Sequence, residues 1–541
     1  MRQYRRLSWL AAIGMTAGVV ACAAQGDEMD SAGAPYPGPG GSGGAAGTGG
    51  SAGTGGQTGV DAGLPPEQEV ESAYESPVAT GRYVWVANPS SGRVAFVDAV
   101  TLEVRTTEAG NGPMHLAGVP HPSEDVAVVI NDISADATIL RADEHGAIDS
   151  ATVPIAQHSN AWAISNDGRW AIAWTDARLM ESTSAADGFQ DIAVLDLTEG
   201  AETSTRLSVG YRPVAMRFSK NDDHAYAVTQ DGVSVIDLQA SGGPAATKIV
   251  AISDNPLEDP GTRDVTITPD GEFAFVRRDG SEVVTVVSLA DGTRTEILLE
   301  GAVTDLDLSP DGTQAVAVIR DEGQAALLPI PQIVSDPTAF ETVQVSDAVV
   351  GSVAMAANAK VALLYSNASD QERVASLRYD TTPASVEALK LHSPVLAVFL
   401  ASSGASAVVL HKAIEDGSGS SFAGAFSVLN LAPKLPAKIV GTLAPPTAVA
   451  LTPAGDYAVL AERDDPKKVY GAYLIRMGNQ QVDRYELASP PIAVGALMEA
   501  KRAFVAQKHP EGRITFLDLD TGLARTLTGF ELGARVVDGS E

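Results

Sequence analysis

The chain has one cysteine, Cys22, in 541 residues, so no disulfide within the chain can stabilise its fold. Helical periodicity is scarce, and apolar residues instead recur at every second position of short segments, which is typical of β-strands. Basic residues are also few, since 37 Lys and Arg oppose 68 Asp and Glu and give a formal net charge of −31. A surface of that sign repels phosphate backbones, and we therefore expect no nucleic-acid partner.

An alanine recurs on one register along the chain, each time six residues after the start of a short turn. Successive turns begin 41 to 54 residues apart, and an incomplete further copy begins at Val78, with Val84 in place of the alanine. The unit at Thr268 predicts strands over 264–268, 273–277, 283–289 and 293–299. Four strands in one such unit describe a propeller blade, and the alanine predicts a position where a neighbouring sheet packs closely. The nine alanines are Ala127, Ala171, Ala225, Ala274, Ala315, Ala362, Ala407, Ala458 and Ala503.

Ten copies predict an all-β fold, a single propeller of about ten four-stranded blades over residues 77–541. The usual number is about four to eight, so two smaller rings in tandem are the alternative. The first copy has no inner strand ahead of it, whereas residues 533–537 resemble the inner strands of other copies. We therefore expect this C-terminal strand to pair with the first blade and close the ring.

The first 21 residues have the pattern of a targeting segment: Arg2, Arg5 and Arg6 precede a short apolar stretch. The sequence Val19-Val20-Ala21-Cys22 resembles a bacterial lipobox, which implies a lipoprotein signal peptide, cleavage before Cys22 and acylation of that residue. Ala23 stands where an aspartate retains such lipoproteins at the inner membrane. The resemblance thus implies an outer-membrane lipoprotein, on the periplasmic or cell-surface side.

Residues 22–76 are rich in Gly, Ser and Ala and contain few residues able to bury apolar surface. We expect them to form a disordered linker that tethers the propeller to the membrane through the lipid anchor.

Polar residues near the start of the inner strands mark a candidate ligand-binding rim, because equivalent positions in successive blades face one central funnel. Two long connections, 176–191 and 413–424, are predicted on the same face, where binding usually resides. His115 and His158 with a carboxylate have the ligand types of a metal site, but the spacing leaves the metal unknown. The predicted rim comprises His115, His158, Asn160, Arg212, Arg263, Asp264 and Asp305.

The segment from Tyr83 to Asp98, read as Tyr-Val-Trp-Val-Ala-Asn and then Val-Ala-Phe-Val-Asp, resembles the YVTN type of surface-layer repeat. Residues 231–238 and 514–522 repeat its second half. The resemblance implies a propeller, in a group that includes binding propellers, surface-layer components and lactonase-like enzymes. The His, Glu and Arg set of the lactonase-like enzymes does not map onto this sequence residue by residue.

Outside the Gly-rich residues 38–56, motifs for phosphate loops, zinc hydrolysis or a serine nucleophile do not occur in the sequence, so we expect no catalytic residues and no cofactor. The predicted function is a membrane-tethered, extracytoplasmic module that binds or scaffolds an unidentified protein or small-molecule ligand. The alternative is a propeller hydrolase of the lactonase-like type acting in the central funnel.

Overall fold

The computed structural model describes residues 20–23, 77–121, 123–180, 189–412, 423–530 and 535–536. Within these ranges the chain forms ten sheets, each built on four consecutive antiparallel strands. The chain is therefore an all-β propeller of ten blades, as the repeats predict.

The strands of each blade are called A to D from the innermost outward. Blades 1 to 3 comprise β2 (Val78–Ala79), β3 (Tyr83–Asn88), β4 (Arg93–Asp98) and β5 (Val104–Glu108); β6 (Pro113–Val119), β7 (Asp125–Asn131), β8 (Asp136–Ala142) and β9 (Ile148–Pro154); β10 (Ala161–Ile164), β11 (Trp170–Trp174), β12 (Asp191–Asp196) and β13 (Thr203–Ser208). Blades 4 to 6 comprise β14 (Ala215–Phe218), β15 (His224–Thr229), β16 (Gly232–Asp237) and β17 (Ala245–Val250); β18 (Arg263–Ile267), β19 (Phe273–Arg278), β20 (Val283–Ser288) and β21 (Arg294–Leu298); β22 (Asp305–Leu308), β23 (Gln314–Ile319), β24 (Gln324–Pro329) and β25 (Glu341–Gln344).

Blades 7 and 8 comprise β26 (Ser352–Met355), β27 (Val361–Tyr365), β28 (Arg373–Arg378) and β29 (Ser385–Lys390); β30 (Val395–Leu400), β31 (Ser406–His411), β32 (Gly424–Leu431) and β33 (Lys434–Thr442). Blades 9 and 10 comprise β34 (Pro446–Leu451), β35 (Tyr457–Asp464), β36 (Val469–Arg476) and β37 (Gln481–Glu486); β38 (Pro491–Leu497), β39 (Arg502–Gln507), β40 (Arg513–Asp518) and β41 (Ala524–Thr528). The remaining elements are β1 (Val20–Ala23), β42 (Arg535–Val536), the α-helical turn Gln332–Ser335 and two 3-10 turns, Ala177–Leu179 and Pro260–Thr262.

The turn between strands A and B shows why the repeat sequence forms a reversal. In blade 5 the Thr268 hydroxyl donates to the Asp270 carboxylate over 2.6 Å, and the same carboxylate accepts the backbone N–H of Glu272. Gly271 completes the turn at a φ of 73°, which residues with a Cβ rarely adopt. The strands predicted for this unit differ from those of blade 5 by no more than one residue at either end.

Ten apolar clusters hold the blades together, and each lies between two neighbouring blades. The repeated alanines are 0 to 1% exposed, and each belongs to the cluster shared with the preceding blade. The residue after each alanine points the other way and is larger. Phe275 of blade 5 therefore shares a cluster with Ala315 of blade 6, and Trp85 of blade 1 shares one with Ala127 of blade 2. A large side chain on one blade thus occupies the space that alanine leaves on the next.

The ring closes through the cluster that joins blade 10 to blade 1. Phe504 and Phe516 of blade 10 pack there with Val84 and Val97 of blade 1. The Arg502 guanidinium also donates to the Ala99 carbonyl across the same contact. This continuous contact makes one ring of ten blades and excludes two smaller rings in tandem.

The two chain ends add backbone pairing that differs from the prediction. β42 does pair with the first blade, but it lies parallel to the outer strand β5, with Arg535 opposite Arg105. The inner position predicted for it is held by β2, where Val78 pairs with Trp85. The first copy therefore has its own short inner strand, which sequence reasoning missed because only two residues form it.

Strand β1 lies antiparallel to β34, the inner strand of blade 9, with Val20 opposite Leu451. Strand β1 therefore includes residues on both sides of the predicted end of the signal peptide, between residues 21 and 22. The other residues of the predicted signal peptide and linker, 1–19 and 24–76, lie outside the described residues.

We expect Ala315→Leu to destabilise the fold by about 1 to 3 kcal/mol, because the added atoms meet Phe275 in a packed interblade cluster. Ala246→Leu, on an exposed position of β17, is the matched control and is expected to have little effect. Urea unfolding of both variants measures the difference. Equal stabilities would contradict the steric role of the alanine register.

Candidate functional site

The candidate rim lies on the face of the propeller that carries the loops before strand A and between strands B and C. His115 lies on β6 and is half-buried, and its carbonyl accepts the indole N–H of Trp162 on β10 over 3.0 Å. His158 is exposed in the turn before β10, at a φ of 62°. The structure thus places the two histidines in adjacent blades. The backbone of His115 is hydrogen-bonded to β10, the inner strand that follows His158.

Asn160 and Arg212 hold loop backbone in place on this face. The Asn160 side chain accepts the Asp176 N–H over 2.7 Å and donates to the Asp176 carbonyl over 3.1 Å, which ties the two loops of blade 3 together. Arg212, at a φ of 53°, donates its backbone N–H to the Phe189 carbonyl over 3.2 Å. Both contacts involve the ends of the long connection 176–191. Its central residues, 181–188, lie outside the described residues, as do residues 413–422 of the second long connection.

Arg263 lies at the centre of a nearly buried ion network. It is 4% exposed, pairs with Glu258 over 2.5 Å and donates to the carbonyls of Thr229 and Gln230 in blade 4. Arg278 pairs with the same carboxylate over 2.7 Å. Burial alone would raise the pKa of Glu258, but the hydrogen bonds from Arg278 and Arg263 outweigh it and lower that pKa to about 2. The pairing explains the position of Arg263 without a ligand.

Asp264 and Asp305 are also engaged within the protein. Asp264 forms an ion pair with Arg277 on the neighbouring strand. Asp305 is 7% exposed and accepts the N–H of Leu306 over 2.8 Å and that of Val353, in the next blade, over 2.7 Å. Both carboxylates therefore connect parts of the propeller to each other. A ligand-binding role for the rim stays a prediction.

A second repeated position escaped sequence reasoning. Four residues after the repeated alanine, or after Val84, the chain carries a polar residue in nine of the ten copies, with Ile319 as the exception. Most of these side chains are buried at the loop-bearing end of strand B. The constant spacing from the alanine could have revealed this position in the sequence. It was missed because the residues there are of different types. The nine are Asn88, Asn131, Thr175, Thr229, Arg278, Ser366, His411, Glu462 and Gln507.

Several of these side chains bond to a hydroxyl on strand C of their own blade. Asn131 donates to Thr138 over 2.9 Å, and Gln507 donates to Thr515 over 2.7 Å. His411 lies 2.7 Å from the Ser427 hydroxyl through Nε2 and 3.2 Å from the Pro394 carbonyl through Nδ1. Burial is the main reason that the pKa of His411 falls to about 4, so its imidazole is neutral near pH 7.

Glu462 shows how such a residue fixes a loop. Its carboxylate is fully buried, and it accepts the Tyr473 hydroxyl over 2.9 Å and the Arg484 guanidinium over 2.7 Å. It also accepts the backbone N–H of Leu443 over 2.8 Å and that of Ala444 over 3.2 Å in the loop that enters blade 9. The loop-bearing face is therefore held by buried polar contacts at the strand ends.

The described residues contain no group of three His, Cys, Asp or Glu side chains placed to hold a metal ion, so His115 and His158 are not joined there by a third ligand. Across the same part of the chain, no helix has both the length and the apolar character needed to cross a membrane.

Comparisons with known proteins do not identify a family for this chain. No family model matches the chain, and no curated protein matches its sequence. Among solved structures, dihydro-heme d1 dehydrogenase NirN in complex with DHE has a TM-score of 0.43 at 12% identity, over 74% of this chain and 72% of that one. A eukaryotic initiation factor has a TM-score of 0.49 at 13% identity, over 73% of this chain and 94% of that one. Neither likeness carries a functional conclusion to this chain.

We expect Glu258→Gln to lower stability at pH 7 by about 1 to 3 kcal/mol, because Arg263 and Arg278 lose their charged partner. A carboxyl whose folded-state pKa is lowered contributes stability that is fully present above its ordinary pKa of 4.5 and is lost as the pH falls through about 2. The difference between wild type and variant should therefore shrink below pH 4.5. Urea unfolding at a series of pH values measures it, with exposed Glu282→Gln as the control. A pH-independent difference would contradict the ion network.

Proposed function

We propose that this chain is a lipid-anchored, extracytoplasmic propeller that acts as a non-enzymatic binding or scaffold module, with the loop-bearing face as its contact surface. The resemblance of residues 83–98 to surface-layer repeats and of residues 19–22 to a lipobox supports this setting. The charged rim residues Arg263, Asp264 and Asp305 are engaged with protein groups, so we assign none of them a catalytic or ligand-binding role.

One observation carries the proposal: an exposed leucine projects from a loop that three arginines hold. In the loop between blades 4 and 5, Leu257 is 80% exposed. Arg294 donates to the carbonyls of Ala251 and Ser253, and Arg278 donates to the carbonyl of Ile252. Glu258, next to the leucine, is bound by Arg263 and Arg278.

An apolar side chain on a fixed loop suits recognition of a protein partner. Little conformational entropy is lost when such a loop binds, so more of the contact energy remains as affinity. The surrounding loop residues are polar, which matches an interface with an apolar contact inside a polar rim. His115 and His158, on the same face in blades 2 and 3, are the rim residues that we include in this surface.

The contact surface is tested by in-cell cross-linking of the full chain in its host. We expect a discrete cross-linked species with wild type and a decrease of about tenfold or more with Leu257→Asp, the scale of a central interface residue. Leu523→Asp is the matched control, since Leu523 is 64% exposed in the turn between strands C and D at the opposite face. Equal loss in both variants, or no cross-linked species with wild type, would contradict the proposal.

The tether is tested separately by metabolic labelling with an alkyne fatty acid and by membrane fractionation. Wild type should carry the label and sediment with membranes, whereas Cys22→Ser should be unlabelled and soluble, because the lipid is attached through that sulfur. Retention of Cys22→Ser in the membrane fraction would refute the anchor while leaving the contact surface intact.

A further inference from the structure

A groove opens between blades 4 and 5 on the face opposite the candidate rim. It has a volume of about 440 Å³ and is lined by aromatic and polar residues of both blades. His224, Tyr226 and Lys248 belong to blade 4, whereas Glu272 and Ser288 belong to blade 5. Pockets that bind small molecules are about 300 to 1,000 Å³ in volume and combine apolar walls with a few fixed polar groups.

Tyr226 is the unusual residue of this groove. It occupies the position after the repeated alanine, where the other nine copies carry Trp85 or one of the apolar residues Val, Ile, Leu and Phe. Trp85 has a partner, since its indole N–H donates to Thr80 over 3.0 Å. Tyr226 is only 5% exposed, but its hydroxyl oxygen is not closed off from solvent, and it makes no hydrogen bond to another described residue. A hydroxyl that faces the groove without a protein partner can bond to a ligand group there.

The backbone of blade 5 leaves room for this hydroxyl. Gly271 faces it so closely that a Cβ at this position would lie 1.8 Å from the Tyr226 oxygen. Burial is the main reason that the pKa of Tyr226 rises to about 12, with the charges of Asp223 and Asp270 adding to it. The phenol therefore stays protonated and can both donate and accept a hydrogen bond.

The charges near the groove disfavour an anionic ligand, because Asp223 and Asp270 add negative charge beside Tyr226. Glu272 and Lys248 bring one charge of each sign to the lining. The Lys248 ammonium donates to the Ala290 carbonyl over 2.6 Å, and His224 lies 3.1 Å from Asp223. The His224 ring stacks with Tyr226 at a centroid distance of 6.5 Å, so the wall presents imidazole beside the phenol.

We propose that the groove between blades 4 and 5 is a binding site for a neutral sugar or sugar residue, with the Tyr226 hydroxyl as a hydrogen-bonding group that faces the groove. A sugar offers hydroxyls that donate and accept at once, which matches a phenol that can do the same. Its C–H faces pack against aromatic rings, here His224 and Phe273. Ser288, Glu272 and Lys248 surround the remaining hydroxyls. This site is independent of the proposed contact surface.

The proposal is tested by saturation-transfer NMR and titration of the full chain with D-glucose, D-galactose, N-acetyl-D-glucosamine and maltose. We expect saturable binding of at least one of these sugars. Tyr226→Phe keeps the ring and removes only the hydroxyl, and it should weaken that binding about three- to tenfold, the range of one neutral hydrogen bond. Choline is the charged comparison probe and is expected not to bind.

Tyr485→Phe is the matched control, because the Tyr485 hydroxyl already donates to the Gly522 carbonyl over 2.7 Å in blade 10. This variant should bind sugar as wild type does. Tyr226→Phe must also keep the wild-type melting temperature to within a few degrees, and if it does not, Ser288→Ala replaces it as the test of the groove. Absence of saturable sugar binding, unchanged affinity in the groove variant, or binding of choline alone would overturn the proposal.

Discussion

The structure depends on one packing interaction: at each contact between neighbouring blades, a large side chain of one blade packs against a small side chain of the next. Strand B of each blade turns a small residue, nearly always alanine, toward the preceding blade and a larger one toward the next. Ten repetitions of this contact make a ring, and the contact between Phe504 and Val84 closes it. Because every blade uses the same two positions, the ring can close by side-chain packing alone. The backbone pairing of β42 with β5 lies outside that contact, at the outer edge of blade 1.

A second rule acts at one end of the same strand. Four residues after the alanine or Val84, the chain carries a polar residue in nine of ten blades and buries it in seven, and Asn131, Glu462 and Gln507 show how these side chains find partners. Strand B ends there, and polar groups that are buried at that point need partners inside the protein. Glu462 bonds to loop backbone, whereas Asn131 and Gln507 bond to hydroxyls on strand C. This face therefore combines the loops between strands with buried contacts that hold them in place.

The two faces of the propeller suit different kinds of ligand. On the loop-bearing face, Leu257 projects from an anchored loop, which suits a protein partner. The groove between blades 4 and 5 is concave and holds the unpaired hydroxyl of Tyr226, which suits a small polar molecule. A scaffold of ten similar blades allows such differences, since a change at one register, such as tyrosine in place of an apolar residue, alters one groove and leaves the other nine contacts intact.

The repeated alanines and Pro-Asp-Gly turns were enough to predict a ten-bladed propeller and the strands of blade 5 to within a residue, because local spacing and turn chemistry specify a blade. The candidate rim could be placed on its face for the same reason. Its chemistry could not be predicted, because the hydrogen bonds of Arg263 to Thr229 and Gln230 and the contact of Asp305 with Val353 join residues of different blades. Likewise, the sequence shows a tyrosine at position 226, but only the tertiary structure places its hydroxyl beside Gly271 of the next blade, in the groove between the two blades. Periodicity along the chain determines the blades. Contacts between blades decide which polar groups are hydrogen-bonded within the protein and which face a groove or the solvent.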